Sequence, residues 1–252
     1  MDSIRIFPVG NTSACRWGAA FLEEAGICLV DHPSPEVTHL LLDVPSFAAD
    51  GTLRGGGELL SLLRMLPPGI TVAGGNLKHP ALAGYRTLDM LEDAQYLAVN
   101  AAITADCALQ VAAPLLNTTF ADAPTLIIGW GRIGKCLGQL LKSIGADVTI
   151  AARKETDRAM LRALGFSTAD TASLTGILPR FRLIFNTAPE MLLTEEQLAP
   201  CKQCVKIDLA SKPGMEGSGV VWARGLPGVH APESSGKLIA ETFLRLSREG
   251  AE

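Results

Sequence analysis

Three glycines spaced Gly129-x-Gly131-x-x-Gly134 stand between the apolar run "TLII" and the amphipathic stretch "RIGKCLGQLLKSIG". A glycine-rich turn between a strand and a helix does one kind of chemistry well. It leaves backbone N–H groups uncovered at the positive end of a helix dipole, where a diphosphate can dock. Gly129 permits the tight turn, Gly131 lets the main chain approach the anion, and Gly134 lets the helix lie close on the strand. Trp130, Arg132 and Ile133 share the turn and are expected against the bound nucleotide. The next strand ends in Ala151-Ala152-Arg153-Lys154. An NAD-binding unit carries Asp or Glu there, about 20 residues on, for the ribose hydroxyls. Two cations and no carboxylate suit the 2′-phosphate of NADP(H), which Arg153 can hold through two hydrogen bonds and Lys154 as a point charge. NADP is the expected cofactor, and no metal site is expected.

Ligands of such sheets gather beyond the carboxyl ends of the strands. Three strand ends carry unusual residues: "NTAP" (Asn186, Thr187, Ala188, Pro189), "DLASKPG" from Asp208 through Ala210 to Gly214, and "RGLPGVHAPESSGK" from Arg224 to Lys237. Asn186, Thr187, Pro189, Asp208 and Ala210 are expected on the cofactor side. Ser234 or Ser235 reads as the N-cap of the last helix, and equally as a donor for a carboxylate or for the nicotinamide amide. Other polar groups could form anion sites for a substrate. Candidates are Thr12 and Ser13 with Arg16, and the Ser234-Ser235 helix start with Lys212 or Arg224. Asn100 and Thr104, on a long Ala-rich helix, are further substrate candidates. His230, in the turn before the last helix, and Asp106, on the long helix, are the candidate bases.

The elements that must position these groups alternate. Residues 4–9, 27–30, 38–44, 70–75 and 85–90 read as strands, with helices over 12–24 and 57–66. After a helix over 96–116 the alternation restarts. Strands are expected at 125–130, 147–153, 183–188, 205–210 and 220–225, and helices at 134–145, 156–165, 194–200 and 234–249. The fold class is α/β: two three-layer doubly wound domains, the first flavodoxin-like (1–95) and the second a Rossmann nucleotide-binding domain (96–252). The last helix is free to pack back on the first domain.

Composition narrows the class. The chain has 252 residues, 48% hydrophobic and 19% charged, with a formal net charge of −4. That balance describes a soluble globular protein and offers no basic face for nucleic acid. The opening "MDSIRIFPVG" carries no export pattern, and the 96–116 stretch is interrupted by Asn100, Thr104, Asp106 and Gln110, so a cytoplasmic protein with no membrane span is expected. Six cysteines are spread through apolar segments as reduced thiols would be, and Cys201-x-x-Cys204 has no second ligand pair to complete a zinc set.

With these motifs in hand, the sequence resembles the family of the pyridine-nucleotide subunit of spore dipicolinate synthase. The matching stretches are "GWGRIGKCLGQLLKSIGADVTIAAR", "NTAP", "DLASKPG" and "GLPGVHAPESSGK", in family order and at similar spacing, over about the last 150 residues. The Asn100…Thr104-x-Asp106 segment is also similar. The first ninety or so match mainly in layout. Gly10-Asn11-Thr12-Ser13 stands where the family tends to read Gly-Asp-x-Arg, Asp106 stands where Glu is expected, and Met215 where a second glycine is usual. The resemblance implies oxidation of a dihydrodipicolinate-type ring to pyridine-2,6-dicarboxylate, with NADP⁺ accepting hydride. It also implies a flavoprotein-like second subunit, in the mother cell of spore-forming bacteria. Two alternatives stand beside it: a non-catalytic NADP-binding partner protein, and an enzyme like the 2-hydroxyacid dehydrogenases. Homo-oligomer formation is left open.

Overall fold

The structure is a computed structural model that describes residues 4–249. The chain divides into two compact units. One comprises the described residues up to Asn100 together with those from Pro227 onward, and the other is Ala101–Leu226. The sequence placed the border at 95/96 and the last helix with the second domain, free to pack back on the first. The division instead falls inside a helix, and the last helix lies in the first unit.

The first unit is built on a five-stranded sheet: β1 (Arg5–Pro8), β2 (Cys28–Leu29), β3 (His39–Leu41), β4 (Thr71–Gly74) and β5 (Arg86–Asp89), in the order β2-β1-β3-β4-β5. Every pair is parallel. This is the flavodoxin-like order expected. Helix α1 (Ser13–Glu24) follows β1 and is capped by the Thr12 side chain, which accepts from the Cys15 amide. Helix α2 (Leu59–Leu63) buries Leu59, Leu62 and Leu63 in a core with Leu40, Val72 and Leu82.

Helix α3 (Ala94–Ala112) carries the chain from the first unit into the second. By length and composition, Ala94–Leu115 could cross a membrane, with a mean hydropathy of 1.3. Ala101, Thr104, Ala105, Ala108 and Ala112 are nevertheless buried at helical spacing, while Ala102, Asp106 and Gln110 are exposed.

The second unit carries six parallel strands: β6 (Thr125–Ile128), β7 (Val148–Ala151), β8 (Ser167–Ala169), β9 (Leu183–Asn186), β10 (Val205–Asp208) and β11 (Val220–Trp222). Their order is β11-β10-β9-β6-β7-β8, the Rossmann order, with the strand reversal between β6 and β9. All residues of β6, β7 and β9 are buried, as strands covered on both faces require. Helices α4 (Arg132–Ser143), α5 (Glu155–Ala163) and α6 (Glu195–Leu198) complete the crossovers. The chain re-enters the first unit at Pro227, within α7 (Leu226–His230), which ends next to α8 (Pro232–Glu249); α8 packs along α1.

One strand was not expected, and one expected helix starts earlier than anticipated. Strand β8 is a short, polar edge strand with Ser167 exposed, so it lacks the apolar pattern that marks a strand. Helix α8 begins at Pro232, two residues before the serines expected to cap it, because proline at the first helical position is already set in φ. The Ser235 amide donates to Ala231 O at 3.0 Å, so both serines are inside the helix.

Candidate functional site: a nucleotide cavity at the β6–α4 turn

The glycine turn has three different glycines in it. Gly129 has φ +108°, and a Cβ there would lie 2.4 Å from Thr187 Oγ1. A Cβ on Gly134 would lie 2.3 Å from Gly129 O, so only glycine lets α4 start this close to β6. Gly131 is unlike both. It has an ordinary extended conformation (φ −79°) and nothing within 4 Å of where its Cβ would be. The protein itself does not need a glycine there. Gly131 is also the N-cap of α4, and no side chain caps the helix. The first α4 amides are therefore available to a ligand.

The turn opens on a cavity of about 740 Å³. Gly129, Trp130, Ala152, Arg153, Lys154, Pro189 and Leu192 are among its lining residues. Trp130 stands edge-on to Phe166, with centroids 6.2 Å apart. Arg153 and Lys154 are exposed at the end of β7, and neither side chain has a hydrogen-bond or ion-pair partner among the described residues. The cavity also holds carboxylates, Asp157, Asp170 and Glu190. Of these, Asp170 is committed: its Oδ2 lies 2.9 Å from Arg158 Nη1 and its Oδ1 accepts from the Ala172 amide. Volume and open amides fit a dinucleotide, and the two cations line the same cavity.

Asn186, Asp208 and Ala210 were expected to face the cofactor, and they are buried instead. Asp208 is fully enclosed, and its two oxygens accept from the amides of Ala210, Gly214 and Met215 and from Asn186 Nδ2, at 2.7 to 3.0 Å. Asn186 also bonds both ways with Ala188, donating to its carbonyl and accepting from its amide. This network folds "NTAP" and "DLASKPG" against each other, so both residues shape the rim rather than present polar atoms to a ligand. Trp222 Nε1 adds a bond to Ala210 O at 3.0 Å. Thr187 is half-buried and its hydroxyl donates to Ile128 O at 3.0 Å. Arg132 is exposed and Ile133 half-buried in the first turn of α4.

The substrate candidates fare less well. Thr12 is consumed internally: its amide and hydroxyl both donate to Asp43 Oδ1, at 2.9 and 2.6 Å, and the Asn11 amide donates to Asp43 Oδ2. Asp43 is 2% exposed, so a buried carboxylate already occupies the anion position of this turn. Thr12 is therefore corrected from substrate ligand to helix cap and Asp43 partner. Ser13 and Arg16 remain exposed, linked to each other at 3.4 Å. The Ser235 hydroxyl is buried and has no hydrogen-bond partner among the described residues. Ser234 is exposed, Thr104 is buried and Asn100 is half-buried. The candidate bases Asp106 and His230 are both exposed, Asp106 on α3 in the second unit and His230 at the end of α7 in the first.

Cys201 and Cys204 are free buried thiols, and burial pushes Cys204 up to about 12, which keeps it protonated. No group of three or more metal-ligating side chains occurs among the described residues.

The strand orders and the glycine turn define a class of fold: two parallel-sheet α/β units, the second in the Rossmann order. D-lactate dehydrogenase from Escherichia coli shares it, with a TM-score of 0.62 at 12% identity over 98% of this chain and 96% of that one. Within the class the chain is similar to the A subunit of dipicolinate synthase. The crystal structure of that protein from Bacillus halodurans matches with a TM-score of 0.83 at 18% identity, over 97% of both chains. The curated relative from Bacillus subtilis (strain 168) is 25% identical over 188 residues, 71% of this chain and 63% of that protein, so the match spans less than two thirds of the relative. No family model matches.

Sequence reasoning missed Arg158, Asp170 and Asp43. Glu155 three residues before Arg158 was visible as a helical pair, but the other partners come from different elements and leave no local signal.

Proposed function

We propose that the chain is an NADP-dependent oxidoreductase of the dipicolinate synthase kind. It would act in the cytoplasm during sporulation, on a small dicarboxylate ring, with a flavoprotein-like second subunit. The observation that carries this reading is the uncapped α4 start with bare space over Gly131, opening on a cavity edged by Arg153 and Lys154. When bound, oxidised NADP supplies a hydride acceptor. The dihydro ring would give up one hydrogen with its electron pair to that acceptor and a second as a proton, leaving pyridine-2,6-dicarboxylate. The chain's own part is to hold and orient. The α4 amides would take the diphosphate, Arg153 with Lys154 the 2′-phosphate, and Asp106 or His230 the departing proton.

Turnover tests the reading. Fresh dihydrodipicolinate and NADP⁺, with the second subunit present, should produce reduced nicotinamide absorbance; no gain at any protein concentration overturns it. One observation favours a second reading, a non-catalytic NADP-binding partner protein. Asp43 occupies the first-unit turn where an anionic substrate would need donors. On that reading NADPH binds and the assay stays silent.

A further inference from the structure

Arg158 lies in α5, outside the glycine turn and the basic pair, and its side chain is 14% exposed. Its guanidinium makes an unusual set of bonds. Nη1 donates to Ala152 O at 2.6 Å and Arg153 O at 2.9 Å, and lies 2.9 Å from Asp170 Oδ2. Nη2 and Nε both reach Glu155 Oε2 at 2.9 Å. One planar group thus grips the two carbonyls that follow β7 and neutralises a carboxylate lining the same cavity. Glu155, held by Arg162 and Arg158, is kept below its usual titration range by those hydrogen bonds.

We infer that Arg158 is a positioning residue for 2′-phosphate recognition. It fixes the Ala152–Arg153 backbone that sets Arg153 and Lys154 into the lining of one cavity, and it offsets the charge of Asp170 in the same lining. This rests on the reading that the cavity binds NADP(H). The guanidinium's fork explains why arginine stands here: a lysine ammonium could reach one carbonyl or one carboxylate, but could not span two carbonyls and two carboxylates from a fixed plane. Without Arg158 the Asp170 carboxylate is left among the cations, where it competes with the phosphate for Arg153 and Lys154. The effect belongs to the phosphate. NADH, which lacks it, depends on the α4 amides and loses little.

The test uses calorimetric titration of the full chain with NADPH and with NADH, in wild type, Arg158→Ala, Arg158→Lys, Asp170→Asn and the Arg158→Ala/Asp170→Asn double variant. Thermal melting checks that each is folded. Arg158→Ala should weaken NADPH by roughly tenfold or more and NADH by less than about threefold, as loss of the charge-assisted bonds that hold the basic pair predicts. Arg158→Lys should recover only part of the loss. Asp170→Asn alone should leave NADPH binding as tight or tighter, and in the Arg158→Ala background it should restore at least about threefold, the coupling expected of groups in contact. Equal weakening of both nucleotides in Arg158→Ala, or no rescue by Asp170→Asn, overturns the inference. A wild type that prefers neither nucleotide removes the NADP reading and the inference with it. A preferring wild type whose preference survives Arg158→Ala removes the inference alone. Should Arg158→Ala melt too low to titrate, Arg158→Lys and Asp170→Asn carry the same comparison, and an Arg158→Lys that discriminates as well as wild type contradicts it.

Discussion

Gly131 and Gly134 are three residues apart in one motif, yet they answer to different constraints. A Cβ at 131 meets no protein atom within 4 Å, so Gly131→Val should leave the melting temperature within about 2 °C, in line with a surface change. It should abolish dinucleotide binding, because the branched side chain fills the approach to the α4 amides. Gly134→Val drives a Cβ against Gly129 O, 2.3 Å away, and should destabilise by about 2 kcal/mol or more through overpacking. Paired thermal melts and titrations separate the two. Asp208→Ala is a stability experiment as well. It strips acceptors from the Ala210, Gly214 and Met215 amides and from Asn186, for a cost of about 3 kcal/mol or more. Ser235→Ala should be neutral or slightly stabilising, since its hydroxyl is buried and unpartnered among the described residues; a loss of substrate binding would restore its place as a ligand. At this scale the turn glycines were legible because the geometry that demands them is local. Asp43 meets Thr12 across 31 positions, and no periodicity or spacing announces such a meeting.

Helices α1 and α8 cross through small residues. A Cβ on Gly236 would lie 2.3 Å from Trp17 Cβ, 2.7 Å from Gly18 N and 2.8 Å from Ala14 O. Two of these are backbone atoms that cannot swing aside, so Gly236→Val should cost about 1–3 kcal/mol or more, seen as a lower denaturation midpoint. Unchanged stability would mean that the crossing tolerates separation. Arg245 of α8 reaches Asp93 Oδ1 at 2.6 Å, and the same oxygen accepts from the Tyr96 amide at the start of α3. The amphipathic pattern of α8 was plain in the sequence. Its placement in the first unit was not, because an apolar stripe says that a helix is covered without saying by what. Strand β8 escaped for the opposite reason: a polar edge strand three residues long owes its conformation to β7 beside it, not to its own residues.

Across the molecule, both units use the same device at the carboxyl ends of their sheets. Asp43 holds the amides after β1, Asp89 those of Asn76 and Leu77 after β4, and Asp208 those of its own loop. The strand orders could be anticipated from alternation and the right-handed crossover; the aspartates that fix the loops could not. Acid should find a different weak point. Burial, with Arg86 nearby, pulls His39 from 6.5 down to about 4. The unfolded chain therefore takes up this proton first. The stability at stake is intact above 6.5 and is lost as pH falls toward 4. His39→Gln should shrink the drop in melting temperature between those limits, and an equal drop would assign acid sensitivity elsewhere.

The most direct measurement is titration of the wild-type chain and Arg153→Ala with NADPH and NADH at fixed salt. Wild type should bind NADPH at least about tenfold more tightly than NADH, through charge-assisted bonds to the extra phosphate. Arg153→Ala should bring the two affinities close together by weakening NADPH alone. Equal binding of both nucleotides to wild type, or binding of neither, contradicts the account.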